Sequence, residues 1–235
     1  MSARVLIKKE DLIKYVSKER IREEIIKTFL SDCPQSIFQF KKSRILDYIF
    51  ENDFFKCIDE KIIANMKSIP KIPTVRLAYL LYEVYSGSYE YIKDFLIRLK
   101  FSNKEKKDIL NISACVKEYL LSPDRFTDKY TLKLAMKNFS KEAVMSSFHI
   151  LSLYTDISFL EALFEDVQRN KEPYLIKDLK IDGKNLLDMG FRGETTGKCL
   201  ENLLSKVIKD PLVNTKEHLI KEAEKYYAKE ILRKN

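Results

Sequence analysis

Residues 181–197 read IDGKNLLDMGFRGETTG and contain four of the five glycines in a chain of 235 residues. The first part, 181–187, is typical of a turn that leads into a short helix. The second part, 190–193, predicts a connection to a longer helix that begins near Glu194. Glycine suits both the exit from a helix and the close approach of another backbone. The stretch therefore predicts a tight corner between two helices.

Helical periodicity extends outward from this corner over almost the whole chain. No comparable run alternates between apolar and polar residues as a half-buried strand does. His149 lies in the apolar run 144–153, and we expect it to be packed in the core. Two apolar stripes each share one helix face, and we expect the first to be buried: Leu77, Leu80, Leu81 and Val84, then Leu200, Leu203, Leu204, Val207 and Ile208.

Two helix starts can be read directly from the sequence, because in each a capping side chain precedes a glutamate by three residues. The pairs are Ser102 with Glu105 and Asn214 with Glu217. The six prolines then divide the chain into about a dozen short helices. The predicted fold class is all-α.

The composition favours a polyanionic partner. Lys and Arg number 43 against 35 Asp and Glu, which gives a net charge of +8 and an isoelectric point near 9.1. The four cysteines are scattered without a C-x-x-C pair, so we expect reduced thiols rather than zinc ligands. No apolar run approaches the roughly 18 to 20 residues of a membrane span, and we expect a soluble, cytoplasmic protein.

Three short matches to catalytic patterns lack the groups that the chemistry needs. Gly87-Ser88 resembles the turn that opens nucleotidyltransferase active sites, but the sequence has no D-x-D pair to hold two metal ions, so a simple turn between helices is expected. Residues 10–14, EDLIK, resemble a nucleotide-selecting E-D-x-x-R with Lys in place of Arg. Residues 80–84, LLYEV, have Tyr and Glu where a phosphohydrolase has metal-binding His and Asp. We predict no catalytic residue, no metal ligand and no cofactor for this chain.

Basic residues surround the glycine corner. In helix-hairpin-helix modules, such a turn presents backbone N–H groups to a phosphate. The spacing alone leaves two interpretations open, a phosphate-binding turn and a tight corner whose lysines are merely solvated. The candidate RNA-binding residues are Lys180, Lys184, Gly190, Arg192, Gly193, Gly197 and Lys198.

A series of short motifs follows one order along the chain. It begins with 16–24 (VSKERIREE), 46–50 (LDYIF), 75–81 (VRLAYLL) and 98–105 (RLKFSNKE), of which the last is the most specific. It ends with 176–179 (IKDL), 181–197 and 214–217 (NTKE). In this order the motifs resemble the C-terminal part of bacterial class II CCA-adding enzymes, members of the tRNA nucleotidyltransferase and poly(A) polymerase family.

The resemblance implies an elongated array of short helices that carries the acceptor arm and elbow of tRNA during 3′-end processing. It assigns residues 1–52 to a partial neck and the start of the body, 53–172 to a tRNA-binding body, and 173–235 to an elbow-binding helical tail with the glycine-rich turn. Family members have an N-terminal head that uses Mg²⁺ with CTP or ATP. We expect this sequence to begin inside the neck, after the head, and to add no nucleotides by itself.

The resemblance also implies that the glycine corner seats the backbone of the tRNA elbow. It leaves open whether the chain is a piece of a longer enzyme or a separate protein that pairs with a head-bearing catalytic chain. An alternative function is an all-α protein-interaction scaffold that retains the fold without binding RNA. Lysines dispersed over all faces would be the signature of that alternative.

Overall fold

The structure, a computed structural model, describes residues 16–38 and 57–234. All regular structure within these ranges is helical, which confirms the all-α prediction. The motifs at 10–14 and 46–50 lie outside the described residues. The described α-helices are α1 (Lys18–Leu30), α2 (Glu60–Ser68), α3 (Pro73–Tyr85), α4 (Tyr89–Arg98), α5 (Asn103–Leu121), α6 (Lys129–Phe139), α7 (Lys141–Leu151), α8 (Ser158–Arg169), α9 (Gly183–Asp188), α10 (Glu194–Lys209) and α11 (Lys216–Lys234).

The helices form two compact units whose segments alternate along the chain. The first unit contains the described residues up to Pro123 together with Lys141–Ile157. The second contains Asp124–Ser140 together with the described residues from Ser158 onward. These units reflect packing alone, so the predicted functional division at residues 52 and 172 stays a prediction. None of the described helices has both the length and the apolar character that a bilayer crossing requires.

The core of the first unit forms where α3 packs against α5 and α7. Leu77, Leu80 and Leu81 are buried in α3, as their spacing predicts. Val84 is only half-buried, so the prediction for this last member of the stripe is wrong. The reason is local, because α3 ends at Tyr85 and the chain then turns away.

The turn after α3 holds the glycine that lies outside the 181–197 stretch. Ser86 and Gly87 have φ angles of 50° and 63°, and Ser88 then precedes α4. A Cβ on Gly87 would lie 2.9 Å from a ring carbon of Tyr82. Both the backbone angle and the close contact require glycine here. The prediction of a simple turn between helices is confirmed.

The prediction that His149 is packed in the core is wrong. His149 is exposed on α7, whereas Phe148 and Ile150 on either side of it are buried. An apolar run does not show which of its residues are buried, because successive residues on a helix point about 100° apart. His149 is therefore directed away from the helices that cover its neighbours.

Two motifs of the first unit contact each other directly. Ser17 caps α1 by accepting a hydrogen bond from the Arg20 amide at 3.3 Å. Glu19 pairs with Lys100 at 2.8 Å. The Arg22 guanidinium lies 5.4 Å from the centre of the Phe101 ring and donates a hydrogen bond to the Lys100 carbonyl. The charged residues of these motifs therefore join α1 to the end of α4.

The start of α5 matches the sequence interpretation in full. Ser102 accepts a hydrogen bond from the Glu105 amide at 3.2 Å, and the Glu105 carboxylate accepts one from the Ser102 amide at 2.8 Å. This reciprocal arrangement is a capping box, and it confirms the prediction of a helix start at Ser102.

The core of the second unit surrounds α10. All five residues of the predicted stripe on this helix are buried, and Phe191 and Leu219 pack with them. Helix α10 contacts α6, α9 and α11, and α6 also packs against α8. The glycine corner thus belongs to the core of this unit, since Phe191 lies inside it.

A network of charges fixes the segment that follows α8. The ammonium of Lys133 on α6 is buried and donates to Glu172 at 2.8 Å. Lys129 donates to the other carboxylate oxygen of Glu172 at 2.7 Å and also pairs with Asp166. Burial alone would raise the pKa of Glu172, but the two lysine hydrogen bonds lower it below its usual value.

Candidate nucleic-acid interface

The glycine corner begins with a capped short helix. Asp182 caps α9 by accepting a hydrogen bond from the Asn185 amide at 3.0 Å. The Asn185 side chain returns the bond by accepting from the Asp182 amide, also at 3.0 Å. Lys184 lies exposed on this helix. The predicted turn into a short helix is therefore confirmed.

Phe191 anchors the corner in the core. Its ring is 1% exposed and lies 4.8 Å from the ring of Tyr227, measured between centroids. The preceding Gly190 has a φ of 97°, and a Cβ there would lie 3.2 Å from the Tyr227 hydroxyl oxygen. Gly190 is thus required by backbone and packing, apart from any contact with a ligand.

Arg192 stabilises the corner from within. Its Nη1 donates hydrogen bonds to the carbonyl oxygens of Leu187 and Phe191, each at 2.6 Å. The first bond satisfies a carbonyl in the last turn of α9, as basic side chains often do at helix C-termini, and the second satisfies a carbonyl of the corner itself. The side chain is exposed, and the phosphate contact predicted for Arg192 stays a prediction.

Gly193 is the N-cap residue of α10, and it has no side chain to cover the backbone there. Its φ of 57° and ψ of −133° form a combination that residues with a Cβ rarely adopt. No side chain caps this helix start. Among the described residues, the amides of Glu194 and Thr195 have no acceptor, and the buried hydroxyl of Thr196 has no partner. The first turn of α10 therefore has unused donors of the kind that bind anions.

A surface groove of about 680 Å³ runs beside this helix start. A Cβ added to Gly193 or Gly197 would meet nothing within 4 Å, so both backbones face open space along the groove. Lys198 lies in its wall and pairs with Glu194 at 2.9 Å, and both side chains are largely exposed. The complete lining is Gly193, Glu194, Gly197, Lys198, Glu201, Asn202 and Tyr226.

The groove unites only part of the predicted site. Gly193, Gly197 and Lys198 line it, whereas Gly190 and Arg192 support the corner next to it. Lys184 is exposed on α9, and Lys180 lines a different concavity. The binding role of all these residues stays a prediction.

The sequence-based site prediction missed four residues that also line the groove: Glu194, Glu201, Asn202 and Tyr226. Tyr226 stacks on Phe191 with ring centroids 6.5 Å apart, so the core anchor of the corner also positions the aromatic wall. The only available signal was the Tyr226-Tyr227 pair on the last amphipathic helix, and nothing local connected that pair with the glycines.

The start of α11 differs from the prediction in a way that affects this region. Thr215, not Asn214, caps the helix by accepting a hydrogen bond from the His218 amide at 3.3 Å. Asn214 instead donates to the Asp178 carbonyl at 2.9 Å and accepts from the Lys180 amide at 3.0 Å. The prediction that Asn214 caps α11 is therefore wrong, because its side chain fixes the segment that precedes the glycine corner.

Within residues 16–38 and 57–234, no three His, Cys, Asp or Glu side chains are grouped closely enough to hold a metal ion. Burial raises the pKa of Cys115 to about 12 and that of Cys199 to about 11. These two thiols are therefore protonated at neutral pH and unreactive.

Two family models match the chain. One, described as tRNA nucleotidyltransferase domain 2, putative, matches residues 73–223. The other, described as the probable RNA and SrmB-binding site of polymerase A, matches residues 3–52. Comparisons with curated proteins and with solved structures gave no significant match. The first model covers more than half of the chain and includes the whole glycine corner, and the second includes α1.

Proposed function

We propose, because this chain belongs to the tRNA nucleotidyltransferase domain 2 family, that it binds the acceptor arm and elbow of tRNA for processing of the 3′ end. The match to an RNA-binding region of polymerase A supports an RNA partner. The observation that carries the proposal is the groove along Gly193 and Gly197, whose lining lies inside the matched domain except for Tyr226.

The groove suits a polynucleotide backbone for three reasons. Two bare glycines allow a sugar-phosphate chain to approach α10 closely. The unbonded amides of Glu194 and Thr195 can donate to a phosphate oxygen. Tyr226, which also lines the groove, offers an aromatic surface on which a base or ribose can pack. These contacts fix position without reading sequence, as binding of a shared tRNA shape requires.

Gly197 supports this interpretation independently. It lies in the first part of α10, where alanine would stabilise the helix by about 0.5 to 1 kcal/mol. Nothing within 4 Å of its missing Cβ requires a glycine, and no positive φ is recorded for it. A ligand that approaches the helix backbone would explain the residue, whereas a purely structural corner would not.

We propose further that the chain supplies binding rather than chemistry. Its sequence contains no D-x-D pair of metal-binding carboxylates. A head-bearing catalytic chain or domain would then perform nucleotide addition with Mg²⁺ and CTP or ATP. The assignment to class II CCA-adding enzymes in particular is part of this proposal.

The test fills the groove without disturbing the core. Gly197→Leu adds a side chain into open space and improves helix propensity, so the variant should fold. We expect it to weaken binding of full-length tRNA at least tenfold, and to weaken binding of an acceptor-stem minihelix much less. Ser205→Leu, at an exposed position on the same helix, is the matched control and should bind as the native chain does.

The Arg192→Ala variant provides a second test of the proposed function. If Arg192 contacts a phosphate, the slope of log affinity against log salt should flatten by roughly 0.7 to 0.9. Equal losses on tRNA and on the minihelix would argue against elbow recognition. Native tRNA affinity in the Gly197→Leu variant would contradict the proposed groove and favour the protein-interaction scaffold.

A further inference from the structure

A second concavity, of about 510 Å³, lies in the same unit between the end of α8 and the start of α9. The segment 171–180 forms most of its wall, and Asn214 completes it. Neither the residues of this concavity nor its position along the chain coincide with the groove beside α10. The concavity is therefore a separate feature of the surface of this unit.

The backbone of this wall is held rigidly. After α8, the amides of Lys171 and Glu172 donate to the carbonyls of Gln168 and Val167, which closes the helix in a left-handed turn. One carboxylate oxygen of Asp178 accepts from the amides of Tyr174 and Leu175, at 3.1 and 2.9 Å.

Asn214 fixes the other end of the wall, because its side chain bonds the Asp178 carbonyl and the Lys180 amide. The segment thus has few free backbone donors. Its capacity to bind a ligand lies in its side chains.

Lys171 occupies the left-handed position, with a φ of 50°. Glycine or asparagine is the usual residue at such a helix end, and a lysine there is strained. Lys171 lies at the rim of the concavity in this strained conformation, although glycine or asparagine would adopt it at a lower cost.

The charges in this concavity do not balance. Glu172 is already paired with Lys129 and Lys133, and the other lining carboxylate, Asp178, accepts hydrogen bonds from backbone amides and keeps its charge. Lys171, Lys177 and Lys180 are all exposed and line it. None of the three forms an ion pair within the described ranges 16–38 and 57–234. The wall therefore presents three ammonium groups against a single carboxylate, that of Asp178, which is not already paired with a lysine.

We propose that Lys171, Lys177 and Lys180 bind a phosphate of the RNA backbone, as a second point of contact besides the groove. This proposal rests on the proposed function. Lysine binds phosphate as a point charge, and a pre-formed wall reduces the ordering cost of that contact. The contact extends the RNA-binding surface from α10 to the end of α8.

The first experiment measures which lysines the RNA covers. The full chain, free and with full-length tRNA, is treated with an amine-acetylating reagent, and each lysine is quantified by mass spectrometry. We expect Lys171, Lys177 and Lys180 to lose reactivity when tRNA is bound. Lys216 and Lys221, exposed on α11 and outside both concavities, should keep theirs.

The second experiment uses a charge-matched pair of variants. Lys177→Gln with Lys180→Gln should flatten the slope of log tRNA affinity against log salt by roughly 0.7 to 0.9, for one lost phosphate contact. Lys216→Gln with Lys221→Gln removes the same net charge and should leave the slope unchanged. Equal flattening by both pairs would overturn the proposal, because net charge alone would then explain the effect.

The outcomes separate this inference from the proposed function. If tRNA binds and Gly197→Leu weakens it, while the three lysines remain fully reactive, only the second contact is overturned. If the native chain does not bind tRNA at all, both fail. Polyglutamate serves as the probe for an acidic protein partner, and equal protection of the three lysines by polyglutamate and tRNA at one salt concentration would overturn the RNA assignment.

Discussion

The guanidinium of Arg76 donates two hydrogen bonds to the carbonyl oxygen of Ile69, from Nε at 3.1 Å and from Nη2 at 2.9 Å. Its Nη1 bonds the carbonyl of Phe29 at the end of α1. Arg76 is 3% exposed, and burial lowers the pKa of its guanidinium. One buried side chain thus satisfies the ends of two helices from inside α3, which explains why an arginine stands within an apolar motif.

Replacing Arg76 by alanine should destabilise the first unit strongly. Two buried carbonyls would lose their donors, at about 1 to 3 kcal/mol each, so we expect a loss of about 2 to 6 kcal/mol. Urea unfolding of both proteins measures the difference. Arg125→Ala, at an exposed position, should change stability by under about 0.5 kcal/mol. Equal effects of the two substitutions would contradict the buried role of Arg76.

Leu81→Ala should cost about 2 to 5 kcal/mol, because Leu81 is fully buried and its removal leaves a cavity between helices. The measurement is the free energy of unfolding from denaturant titration. Leu121→Ala deletes the same atoms from a side chain that is 71% exposed, and it should be nearly neutral. A loss below about 1 kcal/mol for Leu81→Ala would show that the site is less tightly packed than the structure has it.

Glu172→Gln should destabilise the second unit in a pH-dependent way. The folded-state pKa of Glu172 lies below its usual 4.5, so its ionised form stabilises the fold above that value, and the contribution is lost as the pH falls through the folded pKa. At pH 7 we expect a loss of about 1.5 to 3 kcal/mol, since the hydrogen bonds involve charged groups.

The measurement for Glu172 is the difference in unfolding free energy between the native chain and the variant, from pH 7 down to pH 3. The difference should shrink at the acid end, where the native carboxylate also becomes neutral. A difference that stays constant over this range would contradict a stabilising ionised Glu172.

Alanine substitutions at the two glycines of the groove should change the free energy of unfolding in opposite directions. Gly193→Ala should cost about 1 to 3 kcal/mol, because its backbone angles suit only glycine. Gly197→Ala should stabilise the chain by about 0.5 to 1 kcal/mol, since it removes a flexible residue from a helix without a clash. Thermal unfolding of the two variants at matched concentration decides this. Destabilisation by Gly197→Ala would mean that the glycine has a structural role after all.

Helical spacing predicted the buried faces of α3 and α10 because burial repeats with the turn of a helix. The prediction for His149 rested on an apolar run instead, and it failed because that run is apolar on more than one face and local sequence does not say which face a neighbouring helix will cover. The prediction that Val84 is buried failed for a related reason, since spacing does not reveal where along a helix its neighbours cease to cover it.

Asn214 illustrates a second limit. Asparagine and threonine both cap helices well, and the sequence places them side by side. The choice between them depends on the bonds of Asn214 to Asp178 and Lys180, which are more than thirty residues away in the chain. The convergence of Tyr226 on the glycine groove is hidden in the same way, because only the folded unit brings α11 to the start of α10.

The alternation of the two units along the chain has a consequence during translation. Helix α6 leaves the ribosome before α7, yet it belongs to the second unit and packs against α8 and α10, which are synthesised later. At a synthesis rate of about 5 to 20 residues per second, roughly 4 to 14 s pass between synthesis of the last residue of α6 and synthesis of the last residue of α10. During that time the first unit can be completed by α7, while the apolar residues Leu132, Ala135 and Met136 of α6 still lack their partners and are open to nascent-chain chaperones.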